Sequence, residues 1–168
     1  MREPDVSVST TVARDPVVVW TAVADPGRIA SWSPEASAAR TATAGPLAVG
    51  ARFTGSNANR WWRWSTQCVV VESLRGAAFA FDVSYLGLAV ARWRYLIEPA
   101  DEGCVVTELW WDRRGLPVKA IGIVGTGVVD RRAHNTETMR QTLAALKADL
   151  EVVPISGREQ EPRLDDLP

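Results

Sequence analysis

The amino-acid sequence predicts an α+β domain in which an antiparallel sheet of about seven strands curls around one long carboxy-terminal helix. Three observations predict it. The stretch 128–151 carries Val129, Met139, Leu143, Leu146 and Leu150 at three- and four-residue steps, one stripe of an amphipathic helix that has to be buried. Nearly everything between Ala36 and Arg114 reads as strand, broken at short intervals by turn residues. Such short connections mean an antiparallel meander, because a parallel pair needs a long crossover.

The elements follow in order. Val6, Val8, Thr10 and Val12 alternate with polar or small neighbours, as in a strand with one buried face. Asp15-Pro16 then caps and opens a short helix whose inward side is Val19, Val23 and Trp20, ending near Asp25-Pro26-Gly27. A further helical turn runs from Ile29 to Trp32 until Ser33-Pro34 stops it. Strands are expected over 36–43, 50–57, 61–73, 77–86, 88–98 and 104–114. The turns between them fall at Gly45-Pro46, Asn57 to Asn59, Arg75-Gly76, Leu86-Gly87 and Asp101 to Gly103. The apolar, glycine-rich 115–127 leads into the long helix. Residues 1–153 are expected to form one domain, and 154–168, charged and proline-containing, a loosely held tail.

A chain of 168 residues with 46% hydrophobic and 23% charged residues has the composition of a globular protein with a single core. Nineteen basic against twenty acidic residues leave a net charge near zero, which gives no support to broad nucleic-acid or acidic-membrane binding. The amino end lacks the apolar core of a signal peptide and no stretch is long enough for a membrane span, so a cytoplasmic location is expected. One histidine and two distant cysteines, Cys68 and Cys104, offer no material for a zinc site, and buried reduced thiols are expected rather than a disulfide. There is no phosphate loop or dinucleotide fingerprint, since Gly122 to Gly127 follows no strand-and-helix unit of that type, so no cofactor is expected. Eight tryptophans suit either a large core or an aromatic-lined pocket.

Particular residues carry a resemblance. Asp15-Pro16-Val17-Val18-Val19-Trp20, followed by Ala24-Asp25-Pro26 and Trp32-Ser33-Pro34, resembles the opening of the START/SRPBCC superfamily, which includes polyketide cyclase/dehydrase-like proteins. Ala91 to Pro99 with Val106-Thr107-Glu108 resembles its last hairpin, and Asn135 through Met139 to Thr142-Leu143 its final helix. The resemblance spans about residues 6–150 and implies a helix-grip fold, with a cavity between sheet and helix for a small hydrophobic or amphipathic molecule. Aromatic polyketide cyclases of this fold use an arginine on a middle strand. That place falls near Cys68 here, so the residue does not carry over.

Alternation then nominates the lining. Ala91, Trp93, Tyr95 and Ile97 share one face of their strand, Phe79, Phe81, Val83 and Tyr85 another, and Trp62, Trp64, Thr66, Cys68 and Val70 form the row with fewer charges. Strand 104–114 has large apolar groups in both rows, and the resemblance favours turning Val106, Glu108 and Trp110 inward. The candidate ligand-binding residues are therefore Trp64, Cys68, Phe81, Tyr85, Trp93, Tyr95 and Trp110 from the sheet, with Asn135, Met139 and Leu143 from the helix. Arg132 joins them if it faces the cavity mouth rather than snorkelling to solvent. The alternative for the aromatic set is a filled core. Glu108 among tryptophans is the candidate general acid or base, against the alternatives that it points outward or pairs with an arginine. His134 lies nearly opposite the apolar stripe and is expected to be solvated. Three functions remain open: a binding protein for a small hydrophobic molecule, monomeric or weakly dimeric; a cyclase/dehydratase-like enzyme; and an interaction module using a sheet edge or the tail.

Overall fold

The computed structural model describes residues 2–115 and 126–152. Strands β1 (Val6–Val12), β2 (Ala36–Thr41), β3 (Arg52–Asn59), β4 (Trp62–Leu74), β5 (Ala78–Tyr85), β6 (Leu88–Ala100) and β7 (Gly103–Asp112) form one antiparallel sheet, ordered β1-β7-β6-β5-β4-β3-β2. The helices α1 (Pro16–Val23) and α2 (Pro26–Trp32) carry the chain from β1, beside β7, to β2 at the far edge. The long helix α3 (Arg131–Glu151) packs against β1, β7 and α2. This is the helix-grip architecture, with seven strands as expected.

The helix starts are set by aspartates. Asp15 accepts a hydrogen bond from the Val17 amide at 2.8 Å and Asp25 one from Gly27 at 2.9 Å, each followed by proline at the first helical position. The second cap makes α2 a separate helix beginning three residues before Ile29. Asp130 caps α3 through the Ala133 amide at 3.0 Å, which places the helix start after Val129. Val129, expected in the buried stripe, therefore lies outside the helix and is 81% exposed. The other end of α3 is tied to β1 and α2. The Ala13 amide donates to Glu151 at 2.7 Å, Lys147 donates to the Thr11 carbonyl at 2.6 Å, and the Trp32 indole donates to Asp149 at 3.0 Å.

Register shifts bend the sheet at three places, the first at Ser37 in β2, between the pairs Ala36 with Asn57 and Ala38 with Ser56. An extra residue at Val71 separates the pairs Val70 with Phe81 and Glu72 with Ala80, and another at Val90 separates Ala91 with Val83 from Ala89 with Ser84. The turn expected at Asn57 to Asn59 comes later, at Arg60-Trp61, because pairing continues through Asn59 and Trp62, and Arg60 takes the left-handed conformation (φ 51°). Leu86-Gly87 makes a two-residue hairpin with both residues at positive φ, the geometry whose twist suits the flanking strands. The core is the inner row of the sheet, including Phe79, Tyr95, Ile97 and Val106, closed by Val19 and Val23 from α1 and Leu143, Leu146 and Leu150 from α3. Cys68 and Cys104 are buried free thiols on strands separated by two others.

Candidate ligand-binding site

The position of α3 leaves a space. The helix sits close to β1 and β7, while β3 to β5 curve past it, and a cavity of about 260 Å³ remains between them. Its wall is chiefly aromatic and aliphatic. Pairs in register across the inner face put Trp93 between Phe81 and Trp110, and Tyr95 between Phe79 and Glu108. The Trp93 and Trp110 rings are 6.4 Å apart and tilted, and Phe53 meets Phe81 edge-on at 5.2 Å.

Glu108 is the polar group deepest in this wall, only 2% exposed. The Tyr95 hydroxyl donates to its Oε1 at 2.8 Å, while its Oε2 has no partner among the described residues. Burial in apolar surroundings pushes the carboxyl up to about 8, against a smaller opposing effect of the Tyr95 hydrogen bond. At neutral pH the group is therefore chiefly protonated. Burial, then the neighbouring carboxylate charge and hydrogen bond, holds the Tyr95 hydroxyl well above its usual value. Asn135 enters from α3, also buried, and its Oδ1 likewise lacks a partner among the described residues. Cys68 lines the cavity, but burial raises its thiol to about 11, so it is a packing group rather than a nucleophile.

A second cluster lies at the rim. Arg131 donates to Glu35 at 2.6 Å and to the Thr126 hydroxyl at 2.7 Å, and the Asn59 amide donates to the Thr126 carbonyl at 2.9 Å. His134 Nε2 stands 3.5 Å from Glu35 Oε1, within ion-pair range. Burial works to raise the Glu35 carboxyl, yet hydrogen bonding and charge from His134 and Arg131 outweigh it and hold it below its usual range. Beside them, Gly127 at φ 68° lies so close to the Trp62 indole that a Cβ would approach it to 2.6 Å. These contacts tie the β3–β4 hairpin, the chain before β2 and the start of α3 into one frame.

Of the residues singled out in the sequence, Trp64, Cys68, Phe81, Tyr85, Trp93, Tyr95, Glu108, Trp110, Asn135 and Met139 all line the cavity, with Tyr85 at its edge and 40% exposed. Leu143 does not. The buried stripe of α3 splits, so that Asn135, Met139 and Thr142 face the cavity while Leu143 packs toward β1. Arg132 follows the Leu143 side of the helix and ends on the surface beside Asp5, at 3.3 Å, with its side chain 66% exposed. Arg131, one turn before Asn135, takes the cavity position instead. His134, expected in solvent, is half-buried against Glu35. Sequence reasoning passed over Glu35 and Arg131. The i, i+4, i+8 spacing of Arg131, Asn135 and Met139 carried the signal for one of them. Val90 also reaches the lining, because its bulge breaks the alternation that assigns it to the outer face. The lead segment 115–127 falls mostly, and the tail 154–168 wholly, outside the described residues.

Sheet, helix and the cavity between them define a helix-grip protein. The chain belongs to the family described as polyketide cyclase / dehydrase and lipid transport, whose model matches residues 3–151. A comparison with curated protein sequences finds no match. Among solved structures it is similar to a polyketide-cyclase-like protein of Corynebacterium glutamicum, at 25% identity and TM-score 0.59, covering 90% of this chain and 94% of that one. A Mesorhizobium loti protein matches at 16% identity and TM-score 0.62, over 89% and 98% of the two chains. The di-domain ARO/CYC StfQ of the steffimycin biosynthetic pathway matches at 16% identity and TM-score 0.67, over 87% of this chain and 50% of that one. Among the described residues no helix is long and apolar enough to cross a membrane, and no three or more His, Cys, Asp or Glu side chains are grouped as metal ligands would be.

Proposed function

We propose that the protein binds a small, mainly apolar or amphipathic molecule in the cavity between the sheet and α3. The observation that carries this reading is the chamber itself: about 260 Å³ bounded by Trp64, Phe81, Trp93 and Trp110, with Glu108 and Asn135 entering it. Pockets of this kind bind through apolar burial and stacking, and a few polar groups fix orientation. The family description, spanning cyclases, dehydrases and lipid transport, is consistent with such a ligand. Titration with phenylnaphthylamine, an uncharged fluorophore that accepts energy from tryptophan, tests it. Saturable quenching of protein emission is expected, with affinity about tenfold weaker in Trp93→Ala, equivalent to ~1.4 kcal/mol of lost contact. No saturable binding, or binding unchanged in both Trp93→Ala and Phe81→Ala, would overturn the reading.

A second reading, a cyclase- or dehydratase-like enzyme, is favoured by Glu108 in particular. A carboxyl held protonated to about pH 8 beside a bound molecule suits proton transfer. On a polyketide substrate that the protein turns over, Glu108→Gln is expected to lower kcat at least about a hundredfold while leaving the dissociation constant within a few-fold. Full turnover by Glu108→Gln would remove the catalytic role.

A further inference from the structure

Charge is unevenly spread along the chain. Residues 36–71, which form β2, β3 and most of β4, carry four arginines and no acidic residue, although the chain as a whole is close to neutral. A local field of one sign survives a balanced total, because opposite charges farther away than about 8–10 Å are largely screened. Arg60 and Arg63 flank Trp61 and Trp62 at the β3–β4 turn, and all four side chains are exposed. Arg63 donates to the backbone carbonyls of Arg60 at 3.2 Å and Trp62 at 3.3 Å, and neither arginine forms an ion pair among the described residues.

The turn is not optimised for folding alone. Arg60 holds a left-handed backbone (φ 51°) that glycine takes at less cost. Trp61 is 90% exposed, and burial within the chain gives no reason for so large an apolar ring there. Trp62 leans on Gly127 and the Asn59 amide on the Thr126 carbonyl, so the hairpin is anchored while Trp61 stays outside. Pairing with β5 begins only at Gln67 with Ser84, so Trp62 to Thr66 carry the tip roughly 16 Å past the neighbouring strand. Trp61 and the exposed Val129 line one surface depression, beside Arg60.

Size and chemistry decide what such a tip fits. Its two indoles expose on the order of 300 Å², well short of the roughly 800 Å² per partner in a stable protein interface. Tryptophan flanked by arginine suits the boundary of a bilayer, where the ring lies at headgroup level and guanidinium groups pair with phosphate. We propose that the Arg60-Trp61-Trp62-Arg63 tip docks the protein on an anionic lipid bilayer, with the Trp61 ring among the headgroups and the two arginines on their phosphates. Docking of this kind does not depend on what the cavity binds.

Flotation of the full chain with vesicles of phosphatidylcholine, or of phosphatidylcholine with an equal share of phosphatidylglycerol, tests it. In low salt the native chain is expected to partition at least about tenfold more strongly onto the anionic vesicles. That excess disappears in about 1 M salt, where the Debye length is near 3 Å. Trp61→Ala lowers partitioning at least about fivefold, yet binds phenylnaphthylamine as the native chain does. Arg60→Gly, which eases the turn, lowers binding to anionic vesicles several-fold and keeps the thermal midpoint near the native one, and adding Arg63→Gln brings binding to the level on phosphatidylcholine. No flotation with anionic vesicles, equal partitioning onto both kinds, or full flotation of Trp61→Ala would overturn the proposal. Dimers on size exclusion that Trp61→Ala abolishes, in place of flotation, would overturn it too and assign the tip to a second copy of the chain.

Discussion

The two faces of the central sheet treat the same chemical group in opposite ways. On the outer face, Asp82 receives two hydrogen bonds from Arg92, at 2.6 and 2.9 Å, and one from Arg113 at 2.7 Å. Arg94 reaches over the small Ala80 to bind both oxygens of Glu72, at 2.7 and 3.0 Å. Partial burial works to raise Asp82, but the arginines outweigh it and hold its carboxyl below the usual range. On the inner face Glu108 has one hydroxyl for company, and burial prevails. A carboxylate next to guanidinium groups and water stays ionised. One facing tryptophans and a single phenol keeps its proton. The outer face can therefore supply registration and solubility, whereas the inner face holds a proton where a ligand would sit.

The largest test of this contrast is the pH dependence of stability. The folded-state affinity of Glu108 for a proton is raised from 4.5 to about 8, so between these values the unfolded chain has released a proton that the folded chain retains. Its contribution is fully present below the unfolded value and is lost as pH rises through the folded one. Relative to Glu108→Gln, the native chain is expected to lose on the order of 4 kcal/mol between about pH 5 and pH 9 in denaturant titrations. Parallel profiles for the two proteins would mean that Glu108 is paired or solvated.

Next in size is the packing of the inner row. Phe79, fully buried, is expected to cost about 3 kcal/mol when replaced by alanine. A loss below about 1 kcal/mol would indicate that the neighbouring cavity relaxes into the vacated space. Tyr95→Phe comes third. Removing the hydroxyl leaves Glu108 Oε1 unpartnered, at a cost of about 1–2 kcal/mol, and moves the Glu108 titration still higher, because that hydrogen bond is what lowers it. A downward shift in an NMR titration of the carboxyl carbon would reverse the assignment of cause. The smallest effect belongs to the outer face. Glu72→Gln should change stability by less than about 1 kcal/mol, since its pair with Arg94 is partly solvated. A loss as large as that of Phe79→Ala would erase the distinction between the faces.

Most of the fold was legible because it depends on local signals. Asp-Pro pairs open α1 and α2, alternation separates the faces of β5 and β6, and the repeat of Met139, Leu143, Leu146 and Leu150 marks α3. The aromatic lining followed from the same alternation, since a side chain on a regular strand points to one face or the other. Where that regularity breaks, local reading misplaces residues. The bulge at Val90 turns an outer residue inward, and the Asp130 cap excludes Val129 from the helix.

What the sequence determined by itself was the order of elements, the inward rows of β5 and β6 and the aromatic character of the interior, consequences of period and turn chemistry; for β7, with large apolar groups in both rows, period left the inward row open. Only the tertiary structure decided how α3 seats against the sheet. That seating over β1 and β7 sends Leu143 into the core and Arg132 to the surface, gives Arg131 and Glu35 to the cavity rim, and leaves Glu108 with a single partner. The helical period says which residues share a stripe. The part of a stripe that meets packed side chains, and the part that meets open space, depend on contacts between residues more than a hundred positions apart, such as Asp5 with Arg132 or Glu151 with Ala13.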